Sequence, residues 1–312
     1  MKPLAQMALI AFIGLLAYAG TFQAPFQYDD FRGMLDKPYV QSLRYLSDWS
    51  LVSQFSAEHA FHLRFIGFLS FALNYALHGD SVVGYHIVNI TIHLVNALLV
   101  YCLVLLTFRT PYFEVQGSEF KVQGSESQAS NLEPRTSNLV PLLAALLFVS
   151  HPVQTQAVTY IVQRLTSLAT LFCLATVVLY IQARLALDKQ GWKGRATLWY
   201  VASLCCALFA MKTKEIAFTL PLAVCIFEFM FFSGTWKKRL ICLVPLLLTM
   251  LVIPLSMLIG SDRADASGNS LEDQAFQGTR QERRSDACTT VLPTKPVDGC
   301  PRGAAGHMES RS

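Results

Sequence analysis

Apolar residues gather in long runs separated by short polar connections, at positions 4–21, 86–108, 139–150, 167–187, 196–211, 216–232 and 240–260. A helix that crosses a bilayer needs about 20 mostly apolar residues, because roughly 30 Å of hydrocarbon is crossed at 1.5 Å per residue. The pattern therefore predicts an all-α polytopic membrane helix bundle of about seven spans, the third visibly short. A further apolar stretch, 61–77, carries Arg64 and Asn74 and is expected to lie at the interface or to pack against the bundle. The first run follows Lys2 and ends near the small residues Ala17, Ala19 and Gly20, a pattern that signal peptides share. The many spans that follow favour a retained first helix.

Composition agrees with this pattern: 53% of residues are hydrophobic and 15% charged, too apolar for an ordinary soluble domain. The net charge of +4 is weak and its basic residues sit in short connections, which argues against nucleic acid as a partner. Six of the eight cysteines lie in or beside apolar runs, where they behave as small hydrophobes, while Cys288 and Cys300 fall in the polar tail. No CxxC spacing occurs, so neither a disulfide framework nor a zinc site is expected.

Charge does orient the bundle, because cytoplasmic connections are enriched in Lys and Arg. Lys2, Arg109, Lys121, Arg135, the stretch from Arg184 to Arg195, and Lys237 to Arg239 fall on one face, expected to be cytoplasmic together with the N-terminus. The opposite face receives the first outer loop, 22–85, the connection 151–166, the tight turn 212–215 and everything after Gly260. Lys212 and Lys214 break the rule there. Positions 109–138 read as a cytoplasmic insertion into a module spanning 1–260, since FEVQGSE at 113–119 is followed directly by FKVQGSE at 120–126 and such polar repeats bury no core. The stretch 261–312 has no sustained helical or strand period and changes composition abruptly, as a disordered tail or a shifted reading frame would.

Candidate chemistry falls on the outer face. Asp29 and Asp30 follow Pro25 closely, either as a solvated turn or cap, or as a general base on a substrate hydroxyl. His86, Asn89, His93 and Asn96 share one helix face, which suits interhelical hydrogen bonding or, at His86, a substrate contact. His151 precedes Pro152 in a polar break, and Arg164 follows it, either as an interfacial anchor or as a clamp for a phosphate. Lys212, Lys214 and Glu215 join two spans with almost no loop, so their charges are held at the membrane boundary, where two ammonium groups suit an anionic lipid phosphate.

Taken in order, Tyr28-Asp29-Asp30, LSFALNYAL at 69–77, the His86 to Asn96 series, His151-Pro152-Val153-Gln154-Thr155, the stretch from Tyr160 to Arg164, and Lys214-Glu215 followed by Thr219-Leu220-Pro221 resemble the bacterial relatives of the transmembrane and tetratricopeptide-repeat O-mannosyltransferases, which are GT-C membrane glycosyltransferases. The resemblance implies a bacterial inner-membrane protein that transfers mannose or another hexose from a polyprenyl-phosphate donor to a hydroxyl of an exported protein or glycan. It implies Asp29 or Asp30 as the base and His151, Arg164, Lys212 and Lys214 around the lipid phosphate, with His86 and Glu215 as further substrate contacts. No cofactor beyond the lipid-linked donor follows from it, and a divalent metal has no support in the residues. The chain departs from the family at Gln156, where relatives carry Glu, and at Arg64-Phe65-Ile66, where they carry Arg-Pro-Leu. The later helices and repeat domain of the family have no counterpart in 261–312. A catalytically inactive fragment is therefore one alternative, and a transporter or lipid-binding protein with a polar pathway between its helices is another.

Overall fold

The computed structural model describes residues 2–47, 58–113 and 129–257, with side chains left out at 46–47, 58–59 and 129–138. The paired repeat from position 114 onward and the tail after position 257 lie outside the described residues, as do Cys288 and Cys300. Among the described residues there is no strand. Eight principal helices follow one another: α1 (Pro3–Ala17), α2 (Phe65–His78), α3 (Val82–Thr107), α4 (Ala129–Ser150), α5 (Arg164–Gln190), α6 (Arg195–Met211), α7 (Leu220–Phe231) and α8 (Trp236–Leu248).

Local chemistry sets several of these ends. Pro3 and Pro221 sit in the first turns of α1 and α7, where a missing N–H costs nothing. Gly191 ends α5 at φ +69°, a conformation that favours glycine, and its amide caps Leu187. Gly67 lets α2 approach α5 closely, since a Cβ there would sit 2.2 Å from a Leu165 methyl.

Three helices are long and apolar enough to cross a membrane: Val82–Thr107, Ile161–Gln190 and Trp236–Met257. Length and composition thus make the chain a helical membrane protein. Pro3–Ala17, Phe65–His78, Leu139–Ser150 and Arg195–Met211 are shorter apolar helices of 10–17 residues, so among the described residues three of the expected seven spans reach that length. The expected sixth span opens as a 3-10 turn, Glu215–Thr219, and continues as a helix of only 12 residues.

Helix α5 is the axis of the fold, packed against α6 on one side and α3 on another, with α4 and α1 layered outside α3. One core joins Tyr180, Ala183, Tyr200, Ala207, Val224 and Leu246 from α5 to α8. A second gathers Met34, Tyr39, Phe61, Phe68, Phe71, Tyr85 and Ile161, so the first outer loop and the stretch 61–77 pack on the bundle through an aromatic cluster. Tyr39 meets Phe61 at 4.8 Å and Phe68 at 5.0 Å between ring centroids, within the range of favourable aromatic pairs.

Candidate functional site

The three connections expected on one face meet at one end of α5. Gln27 caps a short helix, Tyr28–Asp30, and its amide donates to Asp30 Oδ2 at 2.7 Å. The other oxygen, Asp30 Oδ1, accepts from the Val162 amide at 2.7 Å, which ties the first outer loop to the polar break before α5. Asp30 is buried. Burial pushes its carboxyl above the usual carboxylate range, against the pull of the two amides and of the neighbouring His86. Asp29, one position earlier, is exposed; its Oδ2 accepts from the Tyr160 hydroxyl at 3.0 Å, and its Oδ1 takes no hydrogen bond among the described residues.

The polar face of α3 meets broken backbone. His86 Nε2 lies 2.9 Å from the Ala24 carbonyl, Asn89 donates to Val158 and Ile161, His93 Nε2 lies 3.2 Å from the Val149 carbonyl, and Asn96 donates to Ser167. Carbonyls freed by the irregular stretch before α5 would otherwise be buried without partners, at a cost of several kcal/mol each in an apolar medium. His86 is fully buried and its Nδ1 has no hydrogen-bond partner among the described residues.

Arg164 opens α5 and is fully buried. Its Nε donates to Asn89 Oδ1 at 2.7 Å, its Nη2 to Asn74 Oδ1 at 2.8 Å and the Tyr85 carbonyl at 3.0 Å, and its Nη1 to the Ser70 carbonyl at 3.4 Å. The guanidinium also lies over the Phe71 ring at 4.6 Å. Every one of these acceptors is neutral, and the group faces protein on all the contacts it makes.

The turn after α6 carries the remaining cations. Lys212 Nζ donates to Ser256 Oγ at 2.6 Å, and Lys214 Nζ to Thr166 Oγ1 at 2.6 Å. The Lys212 carbonyl accepts from the Ile66 amide, and Arg64 Nε holds Glu215 Oε1 at 2.8 Å, so the turn is fastened to the start of α2. Burial lowers the Lys212 ammonium from its ordinary range. Lys214 is lowered by burial and by the adjacent Arg64 charge, which outweigh Glu215. Burial raises Glu215, but Arg64 and Lys214 reverse this and hold it below the usual carboxylate range. His151 is exposed, with Nδ1 accepting the Val153 amide at 3.2 Å, and makes no hydrogen bond to the other candidates among the described residues.

Sequence reasoning passed over a second polar cluster at the far end of α5. Arg184 and Glu228 are fully buried and paired at 2.8 Å, Tyr180 donates to Glu228 Oε2 at 2.9 Å, and Asp188 joins Arg184 at 3.1 Å and also pairs with Lys238. The signal was present, because a carboxylate inside an apolar run such as 220–231 is costly unless answered by a buried partner. Tyr160, Arg64 and Thr166 were likewise not singled out as site residues; only their contacts distinguish them. No group of three or more His, Cys, Asp or Glu among the described residues is placed to hold a metal ion.

No family model matches the chain, and no solved structure matches it significantly. Curated relatives do. The chain is 26% identical over 235 residues to human protein O-mannosyl-transferase TMTC2, covering 73% of the chain and 24% of that protein. It is 28% identical over 218 residues to mouse TMTC4, covering 68% and 27%, and 29% identical over 224 residues to fruit-fly Tmtc1, covering 70% and 22%. The chain thus spans about a quarter of the length of the curated relatives it matches. Over some seven-tenths of its length, this membrane protein is a relative of the TMTC protein O-mannosyl-transferases.

Proposed function

We propose that the chain is the membrane-embedded module of a glycosyltransferase that moves mannose from a polyprenyl-phosphate donor to a Ser or Thr hydroxyl of a protein acceptor. Asp29 is the general base. The acceptor hydroxyl gives its proton to Asp29 Oδ1, a bond forms between the acceptor oxygen and the sugar C1, and the bond from C1 to the phosphate oxygen breaks with its electron pair leaving on the phosphate. Lys212, Lys214 and Arg64 supply positive charge at that leaving group, which a transition state with growing phosphate charge rewards.

One observation carries the choice of Asp29 over Asp30. Both oxygens of Asp30 are committed to the amides of Gln27 and Val162 in a buried position, whereas Asp29 is exposed and keeps Oδ1 open. Asp30 accordingly anchors the loop that presents Asp29. Arg164 anchors as well, since its donors reach Asn89, Asn74, Ser70 and Tyr85, and its charge, met by neutral acceptors alone, adds to the positive field at that end. The basic connections at the other end support an Asp29 end that lies outside the cytoplasm.

Transfer from polyprenyl-phosphate mannose to a Ser/Thr peptide, measured in membranes carrying the chain, tests the assignment. Asp29→Asn is expected to lower the rate at least ~100-fold with expression and thermal stability unchanged, the usual scale of general-base loss. Asp30→Asn is expected to lower stability as well, because an amide cannot accept from both backbone N–H groups in the same way. Full transfer by Asp29→Asn removes the base assignment. A reporter fused after Phe108 and one fused after Leu255 should report opposite sides of the membrane.

A further inference from the structure

We infer that Tyr160 is a positioning residue for the Asp29 carboxylate, fixing its orientation, an inference that rests on Asp29 being the base. Two adjacent acids meet two nearly adjacent positions of the polar break: buried Asp30 takes the Val162 amide, and exposed Asp29 takes the Tyr160 hydroxyl. The backbone around Tyr160 is held without that hydroxyl. Asn89 donates to the carbonyls of Val158 and Ile161, Asp30 accepts from Val162, and Val158 and Ile161 are fully buried. The Tyr160 hydroxyl is therefore redundant as a tie between the two segments, yet it holds Asp29 Oδ2 and leaves Oδ1 open.

A hydroxyl donating to a carboxylate limits it to one rotamer, so that Oδ1 presents the same lone pair to each acceptor. Tyr160 has no carboxylate partner other than Asp29 among the described residues. With the hydroxyl removed, the Asp29 carboxylate gains rotational freedom and meets each acceptor in a less uniform geometry.

Tyr160→Phe in the full chain tests this. The expected result is a 10- to 100-fold lower rate with polyprenyl-phosphate mannose and a Ser/Thr peptide, within the range of a displaced general base, and a donor KM changed less than about twofold. The thermal unfolding midpoint in mixed micelles is expected to stay at the wild-type value, because the Val162–Asp30 and Asn89 hydrogen bonds hold the segment without the hydroxyl. An unchanged rate in Tyr160→Phe, a donor KM that rises in step with the lost rate, or a rate loss that only follows lost stability overturns the inference. If Asp29→Asn is inactive while Tyr160→Phe keeps the wild-type rate, only this inference falls; if Asp29→Asn transfers normally, the base assignment falls and takes this inference with it.

Discussion

Helix α5 buries an arginine near each end, about 30 Å apart for a separation of 20 residues at 1.5 Å per residue, and the two are answered in opposite ways. Arg184 meets the Glu228 carboxylate at 2.8 Å and Asp188 at 3.1 Å, with Tyr180 completing the cluster. Arg164 meets only amide and carbonyl oxygens of Asn89, Asn74, Tyr85 and Ser70. The far cluster is electrically closed and works as a tie between α5 and α7. The near one leaves a positive charge uncompensated at the end of the molecule that also carries Arg64, Lys212 and Lys214. On the proposed function, an anionic donor would gain at the second end and not at the first.

Removing one partner of the closed pair gives the largest effect. Glu228→Gln leaves the buried guanidinium with only the partly exposed Asp188 carboxylate, and breaking a buried pair in this way costs about 3–5 kcal/mol. Replacing both partners by apolar residues of similar size, Arg184→Met with Glu228→Leu, is expected to recover most of that loss, because the cost of burying two charges disappears with them. Unfolding of the purified variants in mixed micelles measures both. A Glu228→Gln loss below about 1 kcal/mol would mean the far cluster is not desolvated as its burial implies.

The open end can be made to imitate the closed one. Asn74→Asp places a carboxylate where Arg164 Nη2 now donates to an amide oxygen, with almost no change in shape. Stability is expected to stay within about 1 kcal/mol of wild type, since a hydrogen bond is kept and a charge is paired. Donor KM is expected to rise roughly 3- to 10-fold, because the charge that favours the phosphate is cancelled. Unchanged KM would separate Arg164 from donor binding and leave it a purely structural anchor.

The two ends were not equally legible in the sequence. The polar face of α3, the Asp29-Asp30 pair and the turn at 212–215 stood out because polar side chains inside or beside apolar runs are costly, and their common side followed from counting basic connections. Their division of labour did not. Asp29 and Asp30 have the same chemistry, and only the Val162 amide, 132 residues away in sequence, makes one of them buried and committed. Arg164 reads as a phosphate clamp or an interfacial anchor until Asn74, Asn89 and Tyr85 are seen around it. Glu228 was legible by the same rule that picked out Lys212 and Lys214, but the strong apolar pattern around it concealed it. Span length was less legible: α7 and the apolar part of α4 are shorter than about 20 residues, although α7 with its opening turn runs from Glu215 beside Arg64 to Glu228 beside Arg184.

A smaller effect follows from the lowered lysines. Lys212 and Lys214 are charged below their depressed pKa values and lose charge as pH rises through them, so donor affinity should fall on the alkaline side at lower pH than ordinary lysines near 10.4 would allow. Lys214→Arg keeps the charge at any attainable pH and should move that limb upward, by donor KM measured across pH. A limb unmoved in Lys214→Arg assigns the alkaline loss to another group.

The Arg64–Glu215 pair should give the smallest effect, and its sign distinguishes it from the buried pair of the far end. Both partners are partly exposed, at 36% and 28% of their side-chain surface, so water screens the pair and its contribution to stability is about 0.2–1 kcal/mol. Glu215 has a folded pKa below its unfolded value, so this stability is fully present above the unfolded value near 4.3 and is lost as pH falls through the folded one. The difference in unfolding free energy between wild type and Glu215→Gln should therefore be flat from neutral pH to about 5 and vanish in acid. It should also shrink with added salt, as a screened surface pair does and the buried Arg184–Glu228 pair does not. A difference that survives high salt would place Glu215 with the desolvated charges, and the turn at 212–215 would then be held as tightly as the far end of α5.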